Sequence, residues 1–226
     1  MRVFVKICGL TRPEEVAWAA EAGADGVGLV FHPASRRAVT VERARRLAAE
    51  APPGVIRVGV VAGPSLEELL TLVDGVPLDA VQWHGPYREA VMEELRRLRP
   101  RVKMVVAAAL SGGKDGYRDA LRLAGLADYL LLDTLVGRGG TGVPWDWDLA
   151  TGLALPLPVI VAGGLTPENV GTALERVRPA GVDVSSGVES AGVKERGKMH
   201  RFVQAVRQWE QRFRGGVRDG SVPVAR

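Results

Sequence analysis

A single cysteine in 226 residues cannot close a disulfide within the chain and cannot build a cysteine-based zinc site. The thiol of Cys8 is therefore either core filler or chemistry. Histidine is nearly as scarce. His32, His84 and His200 are the three present, and their separations match no metal-ligand spacing, so no structural or catalytic metal is expected. No run of about 18 apolar residues occurs, and the first residues read as a strand carrying Arg2 and Lys6 rather than as the apolar stretch of a signal peptide. The expectation is a soluble, cytoplasmic protein with no membrane partner. Asparagine occurs once, as Asn169, and arginine far outnumbers lysine, a bias that heat-adapted proteins share with those of GC-rich genomes.

Charge of one sign is only slightly in excess, at +4. The arginines alternate with glutamates in "VERARRLAAE" and "REAVMEELRRLRP", as on solvated helix faces. They do not cluster with aromatic residues, so nucleic acid is not an expected partner.

What is present is alternation. Eight β-rich runs, "VFVKIC", "GVGLV", "IRVGVV", "AVQW", "VKMVVAA", "YLLLD", "VIVA" and "GVDVS", are separated by helical-period segments. The helices are expected over Pro13–Ala22, Val41–Ala49, Leu66–Val73, Tyr87–Leu98, Tyr117–Ala124, Pro167–Val177 and Lys194–Phe213, with a weak one near Trp147–Gly152. Such βα alternation with short connections requires a parallel sheet covered by helices. Eight units, with no Gly-x-Gly-x-x-Gly turn after the first strand, favour a closed (β/α)8 TIM barrel, class α/β, over an open dinucleotide-binding sheet. Residues 1–213 are expected to form this one domain and residues 214–226 a frayed tail. Capping boxes at Thr11–Glu14 and Ser65–Glu68, and the Thr166–Pro167 pair, mark helix starts.

In this architecture the chemistry lies at the C-terminal ends of the strands. Those ends hold Cys8, the "FHPASRR" loop, Gln82 and His84, Asp133, Gly163–Gly164, and Ser185–Ser186–Gly187. The glycines of "AGGLTPEN" and the hydroxyls and backbone N–H groups of "SSGVES" stand on neighbouring strands, where they either cradle a phosphate or form two ordinary tight turns. A third glycine-rich loop, Gly137–Gly142, including Gly140 and Gly142, is placed to close over a ligand. Asp133 ends an all-apolar run, where a carboxyl group is either a general acid or a capping residue. Cys8 precedes a helix start, which favours thiolate. Side-chain alternation puts Lys6 on the face of Cys8 and Asp183 on that of Ser185, so Lys6 and Asp183 are expected to pair inside the barrel. Arg36 and Arg37 offer a fork for a carboxylate or phosphate.

Taken together, "KICGLT", "FHPASRR", "VQWHG", "LLDT", "GGTG", "AGGL" and "DVSSGVE", in that order, resemble the phosphoribosylanthranilate isomerases over nearly the whole chain up to about Arg214. The resemblance implies an Amadori rearrangement of N-(5-phosphoribosyl)anthranilate to the 1-deoxyribulose 5-phosphate isomer, in tryptophan biosynthesis. It implies Asp133 as the acid that protonates the furanose ring oxygen, Cys8 as the base that removes the C2′ proton, and Arg37 as the partner of the anthranilate carboxylate. The substrate-binding set is then Arg37, His84, Gly140, Gly142, Gly163, Gly164, Asp183, Ser185, Ser186 and Gly187. The reaction needs no electron or group carrier, so no cofactor is expected. Trp83 and Trp145 stand where the family more often has leucine and phenylalanine; packing is expected for Trp145, and Trp83 is left between packing and substrate contact. Another phosphosugar barrel, such as an indole-glycerol-phosphate synthase, would want a lysine at a strand end, where this chain has Cys8. A homodimer is compatible with the sequence, which identifies no surface for it.

Overall fold

Strand β2, Gly26–Val30, is buried at every position, and so is β4, Ala80–Trp83. A strand covered on both faces belongs to a parallel sheet sandwiched between side-chain layers. The computed structural model describes residues 2–109, 118, 121–133, 147–151 and 155–216. In it, β1 (Phe4–Cys8), β2, β3 (Ile56–Val61), β4, β5 (Lys103–Ala109), β6 (Tyr129–Asp133), β7 (Val159–Val161) and β8 (Gly181–Val184) pair in sequence order. β8 then pairs parallel with β1, which closes the barrel.

Alternation along each strand sorts the residues. Val5, Ile7, Val27 and Leu29 point outward into the large core under the helices, whereas Val58, Ala80, Val105, Ala107, Leu131, Ile160 and Ala162 form an inner layer. Cys8, Val30 and Val60 form a small cluster of their own, one strand step nearer the C-terminal mouth. Trp83 is fully buried in the outer core, and its indole N–H donates to the Pro86 carbonyl at 2.8 Å. It is packing rather than a lining residue of the mouth.

The helices are α1 (Pro13–Glu21), α2 (Val41–Glu50), α3 (Leu66–Gly75), α4 (Glu89–Leu98), α5 (Val170–Val177) and α6 (Arg196–Gly216). Residues 121–124 are also helical, and Trp147–Ala150 forms a 3-10 turn. The Ser65–Glu68 capping box forms as expected. At α1 the reciprocal carboxylate is Glu15, not Glu14. It accepts from the backbone N–H of Thr11 at 2.7 Å and of Arg12 at 3.2 Å, because the helix starts at Pro13 with Arg12 as its cap. Helix α5 begins three residues after Pro167. Asn169 takes the Thr166 N–H on its Oδ1 and donates its amide to the Gly164 carbonyl, which holds 167–169 as a turn. Lys194 lies outside the last helix, in a two-stranded ribbon of β9 (Glu189–Ser190) and β10 (Val193–Lys194). Among the described residues no helix is long and apolar enough to cross a membrane.

The closing seam carries charge. Register aligns Lys6 with Asp183, and the ammonium donates to Asp183 Oδ2 at 2.8 Å with both side chains buried. Burial alone would lower the Lys6 pKa, but Asp183, with Cys8 beside it, holds it above its ordinary value. Removing one member of such a pair leaves an uncompensated buried charge, at about 3–5 kcal/mol. Lys6→Met is therefore expected to lose about that much stability in urea melts, and the double variant Lys6→Met/Asp183→Asn to recover most of it. Additive losses in the double variant would deny the coupling.

Candidate active site

The ends of β1 to β4 and β6 to β8, with the loops after them, line a cavity of about 970 Å3. Cys8 lines it at the end of β1, 8% exposed. Two glycines make its place. A Cβ on Gly28 would sit 2.7 Å from the Cys8 sulfur, and one on Gly9, which has φ +76°, would sit 2.3 Å from Cδ of Arg37. The "CG" pair thus holds the thiol at the mouth and lets the Arg37 side chain cross directly over it.

The expectation that Cys8 is favoured as thiolate needs correction. Burial pushes the thiol pKa up and prevails, with Asp183 acting in the same direction; Lys6 and Lys194 oppose it by favouring the thiolate. Helix α1 starts five residues after Cys8, too far for its dipole, which falls off within about one turn, to reverse the balance.

Asp133 ends β6 and lines the same cavity, with four strands between it and β1 on one side and two strands on the other. Its Oδ2 lies 3.2 Å from Nε2 of His84, at the end of β4. His84, counted among the substrate contacts, therefore also acts on Asp133, fixing the orientation of its carboxyl group.

Arg37 is held by a residue the sequence reading overlooked. Glu189 Oε1 accepts from Arg37 Nε at 2.7 Å and Oε2 from Nη2 at 2.9 Å, a bidentate fork. Arg36 adds a bond at 2.6 Å to Oε2. Arg37 Nη1 has no hydrogen-bond partner among the described residues. The Arg37 side chain is 12% exposed and that of Arg36 57%, so Arg37 is the member fixed at the cavity wall. Ser35 sets this up locally. Its hydroxyl accepts the Arg37 N–H, and its carbonyl accepts that of Ala38, which folds the loop after β2 back over the mouth.

Glu189 also accepts from Lys194 Nζ at 2.8 Å. Lys194 was hidden by being read as the start of a helix. Gln82, named at the end of β4 from the sequence but given no role there, is buried in an otherwise apolar strand, lines the cavity, and its Oε1 has no hydrogen-bond partner among the described residues. A polar residue alone in an apolar strand is the same signal that marked Asp133. Asp183 Oδ1 is likewise buried without a partner.

The loops after β7 and β8 meet backbone to backbone: a Cβ on Gly187 would fall 1.8 Å from the Leu165 carbonyl oxygen. Gly163 and Gly164 both have positive φ, +80° and +66°, a conformation open chiefly to glycine. The backbone N–H groups of Gly163, Gly164, Ser186 and Gly187 donate to no acceptor among the described residues. They form a set of donors suited to an anion. The Ser185 hydroxyl is not one of them, since it donates to the Cys8 carbonyl at 3.0 Å and accepts from Lys194. Gly140, Gly142, the rest of the Gly137–Gly142 loop and Trp145 lie outside the described residues.

Residues 5–205 match the family model described as N-(5'phosphoribosyl)anthranilate (PRA) isomerase. A relative from Pseudomonas aeruginosa (strain UCBPP-PA14), an N-(5'-phosphoribosyl)anthranilate isomerase, is 46% identical over 208 residues, or 91% of this chain and 95% of the relative. Among solved structures, the phosphoribosyl anthranilate isomerase of Thermotoga maritima superposes with a TM-score of 0.82 at 37% identity, covering 92% of this chain and all of that one. A structure of such an isomerase in complex with reduced 1-(o-carboxyphenylamino)-1-deoxyribulose 5-phosphate gives 0.78 at 36% identity, with the same coverage.

Cys8 is the one thiol in the chain, so alkylation reads it alone. Its rate with iodoacetamide is expected to follow the thiolate and to keep climbing as the pH passes the ordinary thiol value of 9.0. A plateau reached well below that pH would contradict the burial argument.

Proposed function

The chain belongs to the N-(5'-phosphoribosyl)anthranilate isomerase family, and from that premise we propose how its barrel mouth performs the aldose–ketose isomerisation of N-(5-phosphoribosyl)anthranilate in tryptophan biosynthesis. The observation that carries the reading is the placement of Cys8 and Asp133 at the ends of well-separated strands on one cavity. An acid and a base that work on different atoms of one sugar need that separation.

In this scheme protonated Asp133, oriented by His84, gives its proton to the furanose ring oxygen. The C1′–O bond breaks as the anthranilate nitrogen donates its lone pair, leaving a cationic Schiff base. Cys8 as thiolate takes the C2′ proton, the C2′–H electron pair becomes the C1′–C2′ double bond, and the iminium electrons return to nitrogen. The neutral enolamine then tautomerises to the ketone.

Binding follows the same geography. Arg37 presents Nη1 to the anthranilate carboxylate while Glu189 holds its other edge. The N–H groups of Gly163, Gly164, Ser186 and Gly187 take the phosphate. Gln82 and Asp183 line the space between, each with one oxygen that has no hydrogen-bond partner among the described residues, and are assigned to the sugar hydroxyls. Nothing in the scheme calls for a cofactor. A cytoplasmic location belongs to this reading, as does a homodimer: a relative from Thermotoga maritima is described as dimeric, and a monomeric mass by light scattering would remove that part.

The test is turnover of phosphoribosylanthranilate generated in the cuvette, followed by the loss of its fluorescence. The parent protein is expected to convert it, and Cys8→Ala and Asp133→Asn to lose about 10²–10⁴-fold in kcat. Parent-like turnover in either variant would overturn that residue's role. No conversion by a folded parent would overturn the substrate. Arg37→Ala is expected to raise KM more than Arg36→Ala, and the reverse order would move the carboxylate contact to Arg36.

A further inference from the structure

Lys194 is almost fully buried, at 4% exposure, and takes no part in the steps above. Its Nζ lies 2.9 Å from the Ser185 carbonyl, 3.1 Å from the Ser185 hydroxyl and 2.8 Å from Glu189 Oε1. An ammonium has three donors and no acceptor. Burial lowers its pKa from the ordinary lysine value, opposed by Glu189 and by Cys8, and three acceptors at those distances match it as a charged group with every proton committed. So fixed, Lys194 cannot transfer a proton to a substrate or bind one directly; it can only supply charge at a set place.

That place is defined by what its partners hold. The Ser185 hydroxyl that accepts from Lys194 donates to the carbonyl of Cys8. The Glu189 carboxylate that clamps Lys194 also clamps Arg37, whose Cδ crosses directly over Gly9. The groups facing Cys8 are Lys6 from β1, Asp183 from β8 and Lys194 from β10, with Arg37 and Glu189 behind them and Asp133 and His84 across the cavity. Lys6 is neutralised at 2.8 Å by Asp183, which opposes the thiolate.

We propose that Lys194 is a positioning residue for Cys8, a fixed cation that supports its ionisation, and that Glu189 is the clamp joining this charge to the carboxylate-binding Arg37. The inference rests on Cys8 being the base, and its main test is independent of substrate. A hydrogen-bonded chain runs from Arg37 through Glu189, Lys194 and Ser185 to the backbone of Cys8, so the group that recognises the aromatic acid and the group that removes the proton share one rigid support.

The experiment follows iodoacetamide alkylation of Cys8 against pH in the parent, Lys194→Met, Lys194→Gln and Lys194→Arg, with turnover measured alongside. Both neutral variants are expected to shift the alkylation curve to higher pH and to cut kcat near neutral pH by about tenfold or more, with KM within about twofold. Lys194→Gln serves if Lys194→Met does not fold. Lys194→Arg keeps the charge and should return the curve toward the parent. An unmoved curve in a folded neutral variant overturns the proposal, and so does an equal shift in Lys194→Arg, which would mean shape rather than charge. Glu189→Gln is expected to raise KM as Arg37 loses its hold; an unchanged KM would remove the clamp. If the parent alkylates as described but converts no phosphoribosylanthranilate, the substrate reading fails while Lys194 is still judged by the alkylation curves.

Discussion

Four charged side chains around Cys8 and Ser185 are buried: Lys6, Asp183, Glu189 and Lys194. A buried charge without a partner costs several kcal/mol, so each constrains the others. Lys6 and Asp183 can satisfy one another only if β1 and β8 align in the one register that places them side by side. Glu189 and Lys194 satisfy one another only if the ribbon after β8 folds back toward the barrel. The site is thus assembled by the same requirement that closes the sheet, and the two cannot be loosened independently.

This explains why the site was only partly legible in the sequence. The barrel came from strand and helix periods, which are local, and every one of the eight strands appears where its apolar run lies. Cys8, Asp133 and the glycine loops were readable because strand ends are local features too. The Lys6–Asp183 pair was also accessible, since neighbouring strands in a closed barrel fix which faces meet. Glu189 and Lys194 were different. Their role depends on a two-residue ribbon with no periodic signal, and on the loop after β2, some 150 residues away in the chain, turning its arginines toward them. The start expected at Pro167 moved for a local reason: the Asn169 side chain captures the Thr166 N–H and delays the first turn to Val170, a competition that spacing does not resolve. At α1 the start at Pro13 stands, and only the capping carboxylate differs, Glu15 in place of Glu14.

The protonation balance at Cys8 gives the site its chemical character. A thiol held above its ordinary value is ionised in a smaller fraction of molecules at neutral pH, but the thiolate that does form is a stronger base. A fully stabilised thiolate would be abundant and weak. Burial, Asp183, Lys6 and Lys194 together set a compromise, and the C2′ proton, lying next to a cationic Schiff base, is acidic enough for such a base to remove. Gly28 belongs to the same balance: it leaves room for the sulfur inside the ring of strands, where burial can act on it.

Glu189 raises the opposite question, since an arginine meant for a ligand carboxylate is already paired with a protein one. Left alone, a flexible Arg37 would have to be immobilised at each binding event, at about 0.5–1.5 kcal/mol for such a side chain. Held by Nε and Nη2, it meets the ligand with Nη1 in place. The burial that drives Glu189's carboxyl pKa upward is outweighed by Arg37 and Lys194, so it stays below the ordinary value and the group remains a carboxylate. Its one negative charge is shared among three cations, Arg36, Arg37 and Lys194. The cluster therefore retains a net positive field toward the cavity, which suits a substrate carrying both a carboxylate and a phosphate. A neutral residue at position 189 would leave the cations to repel one another, and a second acidic residue there would cancel the field the substrate needs.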